Sequence, residues 1–201
     1  RDAQESRGLG DVYKRQKELY PKKEYPQAIV IDTETTGLDP FHDELLQVSI
    51  IDEEGNVLFD SYFKPIRHKE WSKAESVNHI SPKMVADAPY INEKAAELYA
   101  ILSQAHWIIG YNVDFDLRFL MGSDIITDEE YNAFRTEDVM IQFAEIYGEY
   151  SVYHEDYKWQ KLTTAAAYYD YDWNVKGIEA HNSLADCFAT LFVYHKILSG
   201  E

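Results

Sequence analysis

The chain is poor in cysteine and lacks long apolar runs. Cys187 is the single cysteine, so an internal disulfide is excluded and we expect a reducing, cytoplasmic location. A membrane-spanning helix needs about 20 consecutive apolar residues, and no stretch reaches that length. No secretory signal pattern is found either. These absences predict a cytoplasmic protein with no membrane partner.

Basic residues are also scarce. Lysine and arginine number 19 against 36 aspartate and glutamate residues, so the formal net charge is −17. A protein that coats nucleic acid neutralises phosphates with many cations, and this composition argues against that class. The composition does not exclude an enzyme that holds nucleic acid through metal ions and one or two bases of the substrate. Such an enzyme would bind its substrate weakly and locally, or with help from a partner. The length of 201 residues and the 45% of apolar residues predict one globular domain.

The first residues lack hydrophobic periodicity. Residues 1–16 show neither a helical nor a strand pattern, and the stretch GLGDVYKRQ resembles translated adapter sequence. We interpret residues 1–16 as a non-native leader or, alternatively, a native disordered tail. Residues 17–26 are interpreted as a linker or partly helical lead-in.

From Gln27 onward the pattern predicts strands first, then alternating helices and strands. An antiparallel meander is predicted from three strands, Ala28–Asp32, Leu45–Asp52 and Val57–Phe63, and a further strand at His106–Gly110. Helices are predicted at Lys73–Asn78, from Ser81 with Pro82 in its first turn, at Asn92–Ser103 with Asn92 as N-cap, and at Asp114–Met121, Thr136–Tyr147, Leu162–Tyr169 and Ser183–Leu198. This order indicates an α/β domain with a mixed sheet.

Two carboxylates lie at the end of the first predicted strand. Side chains alternate along a strand, so Asp32 and Glu34 point the same way and repel each other unless a cation or proton intervenes. Hard oxygen ligands suit Mg²⁺ or Mn²⁺. An exposed acidic strand end is the alternative, and the apolar residues before Asp32 argue against it. A calcium-binding helix–loop–helix is disfavoured because a β-branched strand, not a helix, precedes Asp32.

Two further groups of polar residues follow later elements. Asp114 is predicted as the N-cap of a helix, and Asp116 lies in its first turn, where it can face the first two carboxylates. Near the end of the chain, His181 comes just before a helix capped by Asn182 or Ser183. Asp186 lies on a face of that helix expected to pack on the sheet, a costly position for an acid unless it meets a metal.

Together these motifs resemble those of a known enzyme family. The sequences DTETTG at 32–37, N-x-x-F-D at 112–116 and H-x-x-x-x-D at 181–186 are similar to the three motifs of the DEDDh 3′–5′ exonucleases. That family includes the proofreading subunit of bacterial replicative DNA polymerases. The resemblance covers Gln27 to Leu198 and implies a ribonuclease H-like fold with a mixed five-stranded sheet flanked by helices. It makes residues 27–201 an exonuclease domain.

The resemblance also implies roles for individual residues. Two Mg²⁺ ions, for which Mn²⁺ can substitute, are expected on Asp32, Glu34, Asp116 and Asp186, with His181 as the general base for the attacking water. Residues expected at the substrate are Thr33 and Thr36 through their backbone, Leu38, Asn112 and Phe115. Leu38 resembles an apolar wedge between the last two bases, and core packing is an equally good interpretation. The segment Val77–Ile80 resembles the family's V-H-G-I, with Asn78 and His79 in place of His and Gly.

Several functions stay open at this point. The leading hypothesis is an exonuclease acting on a single-stranded or frayed 3′ end of DNA, in proofreading or repair, with a DNA polymerase as a possible partner. An exoribonuclease that trims RNA ends or short oligoribonucleotides is the alternative enzyme, and an inactive nucleic-acid-binding or polymerase-partner module is the alternative of another class. Aromatic residues of the polar connection Gly148–Trp159 could stack bases, but we expect them to pack locally.

Overall fold

The protein is built around one mixed sheet. The computed structural model describes residues 27–153, 155–173 and 182–200, so the predicted leader, the lead-in and His181 lie outside the described residues. β1 (Ala28–Thr35), β2 (Leu45–Asp52) and β3 (Val57–Tyr62) form an antiparallel meander. β4 (Trp107–Gly110) pairs parallel to β1, and β5 (Thr136–Asp138) parallel to β4, giving the order β3-β2-β1-β4-β5. The predicted five-stranded mixed sheet is confirmed.

Helices cover both faces of this sheet. Their bounds are α1 Ser72–Asn78, α2 Ile91–Leu102, α3 Val113–Gly122, α4 Asp128–Ala133, α5 Val139–Tyr147, α6 Leu162–Tyr168 and α7 Ser183–Ser199. Because side chains alternate along β1, Ile29 and Ile31 pack with α2 and α3 on one face. Val30 faces the opposite way and packs with α5, α6 and α7. This alternation decides which helix each site residue of β1 can meet.

One predicted helix began too early. Residues Thr136–Asp138 form strand β5 rather than the first turn of the predicted helix Thr136–Tyr147. The side chain of Asp138 accepts hydrogen bonds from the backbone N–H groups of Met140 and Ile141, so it is the N-cap of α5. The strand was missed because three residues are too few to show a period.

Two other helix starts were also wrong. Residues 82–87 form successive turns, not a helix, with bonds such as Met84 N–H to the Ser81 carbonyl at 3.0 Å. Pro89 disfavours helical backbone at Ala88, so these turns do not continue as a helix into α2. α2 begins at Ile91 with Tyr90 as N-cap, because the Glu93 carboxylate accepts the backbone N–H of Tyr90 at 2.9 Å.

Among the residues that the structure describes, no helix combines the length and apolar character needed to cross a bilayer. The cytoplasmic location stays a prediction.

Candidate active site

Three carboxylates meet at the end of β1. Asp32 and Glu34 share the face of Val30, and α7 covers that face and brings in Asp186 from its first turn. Carboxylate oxygens of Asp32, Glu34 and Asp186 all lie within 4.8 Å of one another. The β1–β2 register shifts between Glu34 and Thr35, immediately beside this group. Such irregularities redirect side chains and are common next to active sites.

Asp116 approaches from the opposite face. It is buried in the first turn of α3, and its Oδ1 accepts a hydrogen bond of 2.7 Å from the Thr33 hydroxyl. Thr33 points away from Asp32 and Glu34 because side chains alternate. Asp116 is therefore held beside the group of Asp32, Glu34 and Asp186. It is not a member of that group, whose oxygens lie within 4.8 Å of one another.

Electrostatics favour a bound cation at this group. Burial, and then the charges of Asp116, Asp186 and Glu34, raise the pKa of Asp32 well above its usual range. Burial and the neighbouring carboxylates raise the pKa of Glu34 to about 8, and burial raises that of Asp116 to about 8 despite hydrogen bonds from Thr33. A hard divalent cation offsets the mutual repulsion of these neighbouring carboxyl groups and stabilises their ionised form. The residues therefore fit Mg²⁺ or Mn²⁺.

A buried polar network fixes the start of α7. Ser183, the first residue of the helix, shares a hydrogen bond of 2.6 Å with the hydroxyl of Ser49 on β2. The Ser49 hydroxyl and the Gln47 amide also donate to Oδ1 of Asp60 on β3, at 2.8 and 2.9 Å. Asn182 caps the helix, as predicted, by accepting the backbone N–H of Leu184 at 3.1 Å. These contacts tie the turn that carries Asp186 to two strands.

Asn78 is a site neighbour that the sequence analysis did not single out for a role. Its buried amide donates to the Thr35 carbonyl at 3.2 Å, and its hydrogen bond to Glu34 works against the rise in pKa of that carboxyl. The following residue, His79, has φ of 57°, the left-handed conformation that ends α1. Glycine is favoured at such a position, so the glycine of the family's V-H-G-I suits this backbone, and His79 adopts the same conformation here. The signal was that substituted segment.

The loop after β1 exposes Leu38. Its side chain is 84% exposed, so core packing was the wrong interpretation and the wedge stays a prediction. The hydroxyl of Thr36 bonds to Asp43 and accepts the N–H of Glu44. Gly37 is required because a Cβ there would lie 2.2 Å from the Asp43 carboxylate. Hydrogen bonds of Thr36 to Asp43 and Glu44 therefore join the two ends of the loop, and Leu38 between them is exposed.

The second motif differs from expectation in its cap. Asn112 is the N-cap of α3, in left-handed conformation with φ of 69°, and its N–H donates to Asp138 at 3.1 Å. Asp114, predicted as the cap, lies two residues further on in the first turn, paired with Arg118 at 2.6 Å and bonded to the Tyr131 hydroxyl. The ring of Phe115 packs against the core. The substrate contacts expected of Asn112 and Phe115 stay predictions.

The Tyr-rich connection contains a small hairpin. β6 (Tyr150–Ser151) pairs with β7 (Asp156–Tyr157), and the rings of Tyr150 and Tyr157 pack edge to face at 5.5 Å. The prediction of local packing is thus correct for these two rings, whereas Trp159 is largely exposed.

The calcium-binding alternative at residues 32–43 is excluded, because strand β1, not a helix, precedes the loop.

Comparisons with known proteins agree with this geometry. The family model described as "Exonuclease" matches residues 29–194. The 3′–5′ exonuclease DinG of Staphylococcus epidermidis is 31% identical over 93 residues, and that of Staphylococcus aureus 32% over 93 residues. Each match covers 45% of this chain, which spans only a tenth of those relatives' length.

Solved structures share the fold. A structure of exonuclease I superimposes with a TM-score of 0.65 at 19% identity, over 87% of this chain and 41% of that one. Exonuclease X in complex with 5′ overhanging duplex DNA gives 0.58 at 17% identity, over 87% and 93%. The ribonuclease H-like fold implied by the motifs is thus confirmed. The matched residues include most of the sheet, the four candidate ligands Asp32, Glu34, Asp116 and Asp186, and the first turns of the helices that carry the last two. This chain therefore belongs to the exonuclease family.

Proposed function

We propose that the chain removes nucleotides one at a time from the 3′ end of DNA and depends on Mg²⁺. The observation that carries the proposal is the grouping of Asp32, Glu34 and Asp186 within 4.8 Å, with Asp116 beside them. The DinG relatives are named 3′–5′ exonucleases, which supports the direction. A structure of Escherichia coli exonuclease I is a complex with a dA16 oligonucleotide, which supports single-stranded DNA as substrate.

Each candidate residue has a proposed role in the reaction. Asp32, Glu34, Asp186 and Asp116 would hold two cations, whose chemistry there is to stabilise the attacking and leaving oxygens of the phosphodiester. His181 lies five residues before Asp186, and as the proposed general base it takes a proton from the attacking water through its neutral imidazole. At the 3′ end, the proposed contacts are Leu38 against the terminal bases, the backbone of Thr33 and Thr36, and Asn112 and Phe115.

A labelled strand tests the proposal. With 5′-labelled single-stranded DNA and Mg²⁺, we expect a ladder of progressively shorter labelled strands, because each cycle removes one 3′ nucleotide. Chelator should abolish the ladder, and Mg²⁺ or Mn²⁺ should restore it. A circular strand of the same sequence is the control, since it has no end. Cleavage of the circle, or cleavage in chelator, would contradict the mechanism.

The same assay separates DNA from RNA. We expect faster shortening of the DNA strand than of an RNA strand of equal sequence, and the opposite order would favour the exoribonuclease alternative. No shortening of either strand would favour the inactive binding module. The polymerase partner expected from the proofreading resemblance stays a prediction.

A further inference from the structure

Within the described residues of this acidic chain, positive charge is concentrated in one segment. Residues 64–83 contain five lysine and arginine residues, Lys64, Arg67, Lys69, Lys73 and Lys83, and only two glutamates. From residue 27 to the end there are 12 basic residues in all, so this short segment holds a large share of them. It is the part of the described chain that a polyanion would approach with least repulsion.

A pocket opens within this segment. It has a volume of about 350 Å³, similar to small-molecule sites, and Lys64, Lys69 and His68 line it together with Ile66 and Tyr90. The Lys64 ammonium is fixed by donation to the Ala86 carbonyl at 2.8 Å and lies 6.0 Å from the Tyr90 ring centre. Lys69 is exposed. Cations thus lie beside apolar and aromatic surface. The cations complement the phosphate of a nucleotide, and the apolar surface complements its base or sugar.

The pocket is tied directly to the candidate active site. The Glu44 carboxylate, at the end of the loop that carries Leu38, accepts the backbone N–H groups of Ile66 and His68 at 2.7 and 2.9 Å. His68 also contacts Asp43 of the same loop at 3.5 Å. At the other end of the segment, Asn78 contacts Thr35. The pocket therefore borders the loop that leads away from the carboxylates.

We propose that this pocket binds one nucleotide of the substrate strand on the 5′ side of the scissile bond. Lys69 and Lys64 hold its phosphate, and Tyr90 with Ile66 receives its base or sugar. The proposal rests on the proposed function, since it names a subsite of the same strand. It explains how a chain of net charge −17 holds a polyanion, namely through one local patch.

Substitution of Lys69, an exposed residue that can change without unfolding the protein, tests the pocket. For Lys69→Gln we expect KM to rise about tenfold on long single strands, with kcat unchanged, because one charged phosphate contact is lost. On a phenyl ester of a nucleoside 5′-monophosphate, which has no nucleotide on the 5′ side of the bond that is broken, KM should equal that of the wild type. The slope of log Kd against log salt is positive because salt weakens binding, and it should fall by about 0.7 on single strands.

Two matched variants separate the pocket from general charge. Lys94→Gln removes the same charge from α2, where Lys94 pairs with Glu97, and should leave every value unchanged. Lys73→Gln removes it from the basic segment outside the pocket and should have less than half the effect. Equal behaviour of Lys69→Gln and Lys94→Gln, or an equal loss for Lys73→Gln, would overturn the proposal.

A binding arm keeps the inference independent of turnover. Anisotropy of labelled strands of increasing length is measured for wild type and Lys69→Gln, with Ca²⁺ present instead of Mg²⁺. A difference that appears only above a threshold length supports the pocket, and its absence at all lengths overturns it. If the wild type binds but never shortens a strand, the proposed function fails while the pocket is still tested.

Discussion

At the scale of single residues, Thr33 separates the carboxylates into two groups. It lies between Asp32 and Glu34 in the chain, yet its side chain points to the other face and holds Asp116 at 2.7 Å. Asp186 meets Asp32 and Glu34 without it. Strand β1, through Thr33 on one face and Asp32 and Glu34 on the other, thus joins a helix on each face of the sheet to a common site.

Asp114 and Asp116 should respond differently to the same substitution. Asp114→Asn affects only exposed contacts, the pair with Arg118 and the bond from the Tyr131 hydroxyl, so we expect near-normal activity and a loss of unfolding free energy below about 1 kcal/mol. Asp116→Asn removes a buried carboxylate beside the proposed cations, and kcat should fall about 100-fold or more. Initial rates and urea unfolding of both variants give the comparison.

The folded state of Asp116→Asn provides the control. Asparagine can still accept the Thr33 hydroxyl, and no buried charge remains, so stability without cations should equal or exceed that of the wild type. An active Asp116→Asn together with an inactive Asp114→Asn would show that the ligand has been assigned to the wrong aspartate.

How much of the site the sequence predicted depends on what each residue contacts. Asp32, Glu34 and Asp186 lie where strand alternation and helix periodicity place them, because both are local properties. The bonds of Asn78 to Thr35 and Glu34 join residues far apart in the chain, so no local pattern shows them. The cap was misassigned because Asn112 adopts a left-handed conformation and makes no side-chain cap bond.

At the scale of elements, the start of α7 depends on hydroxyl contacts. Ser183→Ala should lower the unfolding free energy by about 1 kcal/mol, because the buried Ser49 hydroxyl loses one of its two partners and keeps Asp60. We also expect more Mg²⁺ to be needed for half-maximal activity, since Asp186 lies on the same turn. Urea unfolding and cation titration measure the two effects.

Ser199→Ala is the matched control on the same helix. Its hydroxyl bonds only to the Lys196 carbonyl in an exposed position, so stability should change by less than about 0.5 kcal/mol. If Ser183→Ala and Ser199→Ala were equally stable, the network at the start of α7 would have no stabilising role.

The predictions of elements succeeded where a period could repeat. β2, β3 and the long helix α7 were placed within one residue at their starts, because alternation or a clear N-cap marks them. β5 and the turns after Ser81 were missed. β5 is defined by its pairing with β4, which a local pattern does not show. The turns after Ser81 end before Pro89, because a proline disfavours helical backbone at the residue before it.

At the scale of the whole molecule, stability without divalent cations should fall as pH rises. Asp32, Glu34 and Asp116 all have pKa values raised above the unfolded values of about 4, the last two to about 8. The folded protein therefore binds protons more tightly than the unfolded chain. Their contribution is complete below about pH 4 and is lost as pH rises toward 8. Urea midpoints in chelator across this range should decline.

Excess Mg²⁺ should reverse that decline near pH 8, since the cation replaces the protons. Asp116→Asn should flatten the profile in chelator, because one of the groups responsible is removed. A wild-type midpoint that rises steadily through this range would show that the carboxyls ionise freely in the folded protein.

The position of β1 in the sheet has a consequence for how the site is lost. β1 has hydrogen-bonded neighbours on both sides and helices over both faces, so its amide hydrogens should exchange with solvent only through nearly complete opening of the domain. Asp32 and Glu34 continue the same strand beyond the end of the β4 pairing, where they are paired with β2. The Leu38 loop and the pocket of Lys64 and Lys69 lie outside the strands, where opening needs less free energy. The residues proposed to contact the substrate can therefore move while the carboxylates keep their spacing.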